Sequence, residues 1–131
     1  MKKVKFLLAG VAVLMISATL MAQTKTWVAP PNAKTMKNAV ATSDASVKAG
    51  QALYVKTCTP CHGKTGLGDG VKSKSLKVIP TDFTKVAFQG QADGELFYKT
   101  KAGKGEMPKY EGKLTDEDIW NLVNYMRTFK K

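Results

Sequence analysis

The chain's 131 residues are enough for one domain and hardly for two. With 21 Lys+Arg against 10 Asp+Glu the formal charge is +11, but Arg127 is the one arginine, and no arginine cluster or base-stacking motif points to nucleic acid. Two cysteines and one histidine are too few for a structural zinc site built from two well-separated Cys/His pairs. The chain opens Met1-Lys2-Lys3-Val4-Lys5 and continues uncharged and apolar from Phe6 to Ala22. A positive stretch ahead of an apolar one has the layout of a secretory signal, with Leu20-Met21-Ala22 as an imperfect cleavage site. The alternative is an uncleaved anchor, since the run is only slightly short of a full span. No cysteine follows the run directly, which excludes a lipoprotein. Residues 1–22 are thus read as signal or anchor, 23–44 as an arm or linker, and 45–131 as the functional domain, placed in the periplasm. Cleavage after Ala22 takes Lys2, Lys3 and Lys5 away and leaves 18 basic against 10 acidic side chains, a charge of +8.

The arm is polar, contains Pro30-Pro31 and has no regular period, which predicts a linker. Trp27 argues that part of it lies against the domain, because an indole needs something to pack on. Ser46 is a suitable cap for a helix from Val47 to about Thr57. Val47, Gly50, Tyr54 and Cys58 fall on one face of it. Gly50 in mid-helix costs about 1 kcal/mol relative to alanine, which close approach of another helix would offset.

That helix leads into Cys58-Thr59-Pro60-Cys61-His62, where all the thiols and the one imidazole fall within five residues. Two thiols three apart, with a histidine directly after, suit covalent attachment of haem: each thiol adds across a vinyl group and the histidine reaches the iron. A thioredoxin-like dithiol needs a preceding strand in a βαβ unit, and the run before Cys58 reads as helix. A disulfide between Cys58 and Cys61 closes too small a loop to be a strong staple.

Gly63 to Gly70 is a loop whose four glycines permit close approach to a flat ligand. A phosphate-binding loop is disfavoured, for the loop does not end in Gly-Lys-Ser/Thr (Gly63-Lys64-Thr65 opens it) and no apolar helix follows. Val71 to Phe88 is irregular, with Phe83 and Phe88 as pocket lining and the Pro80 carbonyl as the expected acceptor for Nδ1 of His62, leaving Nε2 for iron. Asp93 to Lys101 reads as a short helix capped by Asp93, with Leu96 and Phe97 inward. Thr115 caps the last helix, with Asp118 at the reciprocal position and Leu114 and Ile119 as a hydrophobic staple. Ile119, Leu122, Val123 and Met126 form its core face, with Trp120 and Tyr125 at the margins.

With Cys58-Thr59-Pro60-Cys61-His62 after a Gly50/Tyr54 helix, and Met107-Pro108 before a Leu114…Tyr125 helix, residues 45 to 129 resemble a class I monohaem cytochrome c. Gly66-Leu67-Gly68-Asp69-Gly70, Pro80-Thr81-Asp82-Phe83, Asp93-Gly94-Glu95-Leu96-Phe97 and Ile119-Trp120 are similar to small bacterial periplasmic members. The resemblance implies an all-α fold in which N- and C-terminal helices cross around one covalent haem c, with Gly50 and Tyr54 against Leu122 and Tyr125. It also implies Met107 as the second axial ligand beside His62. The sequence agrees: Met1, Met15 and Met21 lie in the export segment, Met36 in the arm and Met126 on a core face, whereas Met107 sits in a glycine-rich loop 45 residues beyond His62. The function expected is one-electron transfer in an exported respiratory or reductase chain, by a monomeric carrier that is not an enzyme. A haem subunit of a membrane complex and a haem peroxidase or sensor are the alternatives. The partners expected are redox proteins with acidic docking faces, met by Lys99, Lys101, Lys104 and Lys109, and the membrane only if the N-terminal run is uncleaved.

Overall fold

The computed structural model describes residues 27–131; the export segment lies outside the described residues. Among the described residues there are six α-helices and no strand: α1 (Pro31–Thr35), α2 (Asp44–Thr57), α3 (Thr59–His62), α4 (Val86–Gln89), α5 (Asp93–Ala102) and α6 (Asp116–Arg127). This is the all-α architecture expected, organised by the crossing of α2 and α6.

The crossing follows from Gly50. A β-carbon there would lie 2.6 Å from the Asn121 carbonyl carbon and 2.9 Å from Cβ of Tyr125, so only glycine lets the two backbones meet. Next to it Tyr54, fully buried, packs edge-on against Tyr125 with ring centroids 5.2 Å apart. Ile119, Leu122 and Val123 complete the contact from α6 and are almost wholly covered. Each such burial contributes roughly 1.5–3 kcal/mol. Phe97 of α5 stacks on Trp120 at 4.1 Å, which fixes α5 against the other side of α6.

Helix α6 begins as its sequence requires. Thr115 Oγ1 accepts the Asp118 amide at 3.1 Å, and the Asp118 carboxylate accepts the Thr115 amide at 3.0 Å. Three acids then occupy its positive first turn. The other two starts differ from expectation. Ser43, not Ser46, caps α2: Ser43 Oγ accepts the Ser46 amide at 3.2 Å, and Ser46 Oγ accepts the Ser43 amide at 3.1 Å. The reciprocal pair satisfies two amides where a Ser46 cap would satisfy one, so the helix begins at Asp44. At α5 the cap position is Ala92, whose amide is accepted by Glu95 at 2.9 Å. Asp93 is thereby released for a different partner, Arg127, whose Nε and Nη2 donate to it at 2.8 and 2.6 Å.

The arm is not a free linker from Trp27 onward. Proline at its first position helps form α1, and Ala29 and Ala33 are buried. Asn124 ties the following stretch down: its side-chain amide donates to the Val40 carbonyl and Ser46 Oγ, both at 3.1 Å, and its oxygen accepts from Asn38 at 2.8 Å and Thr42 at 3.2 Å. Residues 119–126 of α6 are all buried, including Trp120 and Tyr125, which the sequence placed at the margins of a single core face.

Candidate functional site

The end of α2 delivers the site. The Cys58 amide still donates to the Tyr54 carbonyl at 2.8 Å, and the amides of Cys61 and His62 turn back to the Cys58 carbonyl at 3.2 and 2.9 Å. One short turn, α3, thus carries both thiols and the imidazole. The carbonyls it leaves open are taken by the glycine loop: Gly68 donates to His62 at 2.9 Å, Gly70 to Cys61 at 3.1 Å and Lys72 to Pro60 at 2.8 Å. Tyr54 adds its hydroxyl, which donates to the Gly63 carbonyl at 2.8 Å. Gly68 has φ +78°, and its missing side chain leaves room for the Pro80 carbonyl.

Both thiols are free and half-buried. Burial pushes the Cys58 thiol up, and the Cys61 thiol beside it adds to the shift, while a hydrogen bond with Thr57 opposes both. Helix α2, and no strand, leads into this turn, so the βαβ setting of a thioredoxin-like dithiol is not present around it.

His62 Nδ1 lies 3.3 Å from the Thr81 carbonyl oxygen. A carbonyl can only accept, so Nδ1 holds the proton and Nε2 keeps its lone pair. Burial holds the imidazole below the usual histidine range, against the opposing effect of that hydrogen bond. The ring stacks on Phe83, centroids 4.5 Å apart, and Phe83 on Phe88 at 4.4 Å. These are the two phenylalanines expected to line the pocket. Pro80, the expected acceptor for Nδ1, is corrected to Thr81: the Pro80 carbonyl faces Gly68, and the next residue's carbonyl faces the ring.

Met107 closes a four-residue turn, in which the amides of Lys104 and Met107 each donate to the other's carbonyl at 3.0 Å. It is half-buried, and Pro108 follows it. Tyr110 and Glu111 donate their amides to the Lys101 carbonyl at 3.1 and 3.0 Å, which anchors the loop to the end of α5. Two side chains then reach across to the other half of the site. The Tyr110 hydroxyl donates to the Thr57 carbonyl at 3.1 Å, beside Cys58, and the Glu106 carboxylate accepts the Lys77 amide at 2.7 Å. Burial pushes the Tyr110 phenol above its usual range, with the nearby Cys58 thiol adding to it. Tyr110, Glu106 and Thr81 carried no recognisable signal in the sequence, because each acts on a residue far away along the chain.

The donor set fits a covalent haem. Two free thiols share one turn, a neutral imidazole keeps Nε2 available, and a thioether stands in a loop fastened to the same region. The segment between them carries Val78 and Ile79, 74% and 83% exposed, as apolar surface suited to the rim of a flat ligand.

Comparison with known proteins agrees. The family described as cytochrome C oxidase, cbb3-type, subunit III matches residues 45–126. Cytochrome c-553 of Desulfomicrobium norvegicum is 38% identical over 80 residues, 61% of this chain and 95% of that protein. Cytochrome c-551 of Halorhodospira halophila is 32% identical over 81 residues, 59% of this chain and 94% of that one. Among solved structures, the KustC0563 c-type cytochrome superposes with a TM-score of 0.55 at 30% identity, over 63% of this chain and 98% of that chain. The Kuenenia stuttgartiensis reducing HAO-like protein complex Kustc0457/Kustc0458 reaches a TM-score of 0.66 over 73% of this chain but only half of that chain, and at 23% identity it speaks for the fold alone. The chain belongs to this family of c-type cytochromes and is a small class I monohaem cytochrome c, an electron-transfer protein with one covalent haem c.

Proposed function

We propose that Cys58 and Cys61 form the two thioether links, that His62 Nε2 and the Met107 sulfur are the axial ligands, and that the protein is an exported one-electron carrier in a respiratory or reductase chain. The observation that carries this reading is the placement of His62, with Nδ1 3.3 Å from the Thr81 carbonyl oxygen and the ring one residue from a free thiol. Bound at these residues, haem supplies the ferric/ferrous couple. The Thr81 carbonyl orients the imidazole and makes it a better donor. Met107 as thioether ligand favours the ferrous state and raises the potential relative to bis-histidine sites. With both axial positions held by side chains, the protein is a carrier and not an enzyme. Arg127, the one arginine that a peroxidase would need, is already spent on Asp93 and on the carbonyls of Gln89 and Gln91.

The partners are redox proteins with acidic faces, met by a monomeric carrier in the periplasm. Among the described residues no helix is long and apolar enough to cross a membrane. A second reading, a haem subunit of a membrane-bound complex, draws support from the oxidase-subunit description of the family, and it requires Phe6 to Ala22 to remain uncleaved. Mass and spectra of the purified protein test both readings. One haem retained on a denaturing gel and weakened by Cys61→Ala supports the attachment, and a chain beginning near Gln23 in the soluble exported fraction supports the free carrier. A weak red-end absorption of the oxidised protein, from sulfur-to-iron charge transfer, should vanish in Met107→Ala. If Met126→Leu removed it and Met107→Ala did not, the ligand assignment would be wrong.

A further inference from the structure

The Lys77 amide donates to the Glu106 carboxylate at 2.7 Å across 29 residues of sequence. Glu106 immediately precedes Met107. Lys77 stands four residues before Thr81, whose carbonyl faces Nδ1 of His62. Among the described residues this is the one hydrogen bond between the segment 71–81 and the loop 103–109. The segment has little else to hold it there: Lys77, Val78 and Ile79 are all exposed. The acceptor is charged, which makes it stronger than a neutral one. The donor is a backbone amide, which fixes the position of the chain and not merely that of a mobile lysine.

We propose that Glu106 is a positioning residue: it clasps the Met107 loop to the segment leading to His62 and so holds the Met107 sulfur on the iron against competing ligands. This rests on the reading of Met107 as an axial ligand. The loop's own turn, Lys104 to Met107, fixes its shape, and Tyr110 fixes its far end. The near end leaves α5 at Gly103, whose amide donates to the Lys99 carbonyl at 3.0 Å; Glu106 ties the tip, and loss of that tie leaves the shape intact while letting the tip swing. A swinging loop exposes iron to small ligands without unfolding the protein.

The test uses the oxidised holoprotein, with imidazole as the competing ligand and the sulfur-to-iron absorption as the readout. Glu106→Ala should tighten apparent imidazole binding by about tenfold, equivalent to about 1.4 kcal/mol lost from the closed loop, and weaken the absorption. Glu106→Gln, which keeps an acceptor oxygen, should restore most of both. Lys77→Pro removes the donor from the opposite strand of chain, and Leu76 is already extended at ψ 145°, as a residue before proline needs to be. It should match Glu106→Ala, the double variant should add nothing to either, and Lys77→Ala, which keeps the amide, should behave like the native protein. Native imidazole affinity in Glu106→Ala, or additive effects in the double variant, would overturn the clasp. An absorption that survives Met107→Ala would instead overturn the ligand reading beneath it, so the two failures are told apart.

Discussion

The carbonyl of Asn121 occupies the place that a side chain on Gly50 would need. Replacement by alanine gains about 1 kcal/mol of helix propensity but forces α2 away from α6, and overpacking of a backbone contact costs typically 1–3 kcal/mol, occasionally more. The nearest atoms met are backbone and cannot rotate away, which puts the cost at the upper end, so Gly50→Ala in the holoprotein should be destabilising by about 2 kcal/mol, read as a lower denaturation midpoint with unchanged slope. An unchanged or higher midpoint would mean that the crossing has slack the structure does not show.

Asn124 holds the arm. Its amide and oxygen make four hydrogen bonds with Asn38, Val40, Thr42 and Ser46, and it is 1% exposed. Asn124→Ala leaves several of these partners without a mate, at a cost of about 2–3 kcal/mol. The effect should be local as well as global: proteolysis within residues 27–43 should speed up more than cleavage elsewhere. Uniform acceleration across the chain would show that the arm is held by its alanines instead.

Arg127 and Asp93 form a fork in which two guanidinium nitrogens meet one carboxylate oxygen, while the other contacts go to the Gln89 and Gln91 carbonyls and, at 3.5 Å, to Gln89 Oε1. Lysine supplies one point of contact and not a planar set. Arg127→Lys should cost about 1–2 kcal/mol, the side chains being a quarter to a third exposed. Its potential should stay close to native, since the fork joins α6 to α5 and the α4–α5 turn. A large fall in potential would give Arg127 a part in the haem site that its contacts do not suggest.

What could be read in the sequence is what depends on near neighbours. Thr115 and Asp118 are three residues apart, and their reciprocal cap appears as expected. The Cys58–His62 turn and the glycine opposite α6 are likewise local patterns with one physical solution. The rest depends on distant partners. Ser43 outcompetes Ser46 through a mutual pair that only the first turn of α2 reveals. Asn124 looks like a polar interruption of an apolar stripe until the arm, more than 80 residues earlier, comes to meet it. Thr81 replaces Pro80 by one residue of register, which nothing between His62 and Phe83 encodes without the path of the loop.

Electrostatic docking is where the structure adds an alternative to the expected face. Lys99, Lys101, Lys104 and Lys109 are close in sequence, but three of them are occupied. Lys101 pairs with Asp116 and Lys109 with Glu111, both at 2.6 Å, and Lys99 donates to Gln91 while facing the Trp27 ring. Lys104 lies over the same ring at 5.6 Å. The two ion pairs contribute little stability, but each cancels a charge that would otherwise attract a partner; Lys99, set against a neutral amide and a ring, keeps its charge. Lys72 and Lys74 form no ion pair among the described residues, and they flank an exposed stretch with Val71, Val78 and Ile79. Their charge is therefore uncompensated by any such pair, and steering by such charge raises association rates by about 10–10³. Reversing Lys72 and Lys74 to glutamate should slow electron exchange with an acidic partner more than reversing Lys101 and Lys109, and the difference should fade as salt shortens the screening length from about 30 Å at 0.01 M to about 8 Å at 0.15 M. A larger effect from Lys101 and Lys109 would restore the Met107 loop as the docking face, and a rate indifferent to salt in every variant would show that neither lysine pair steers.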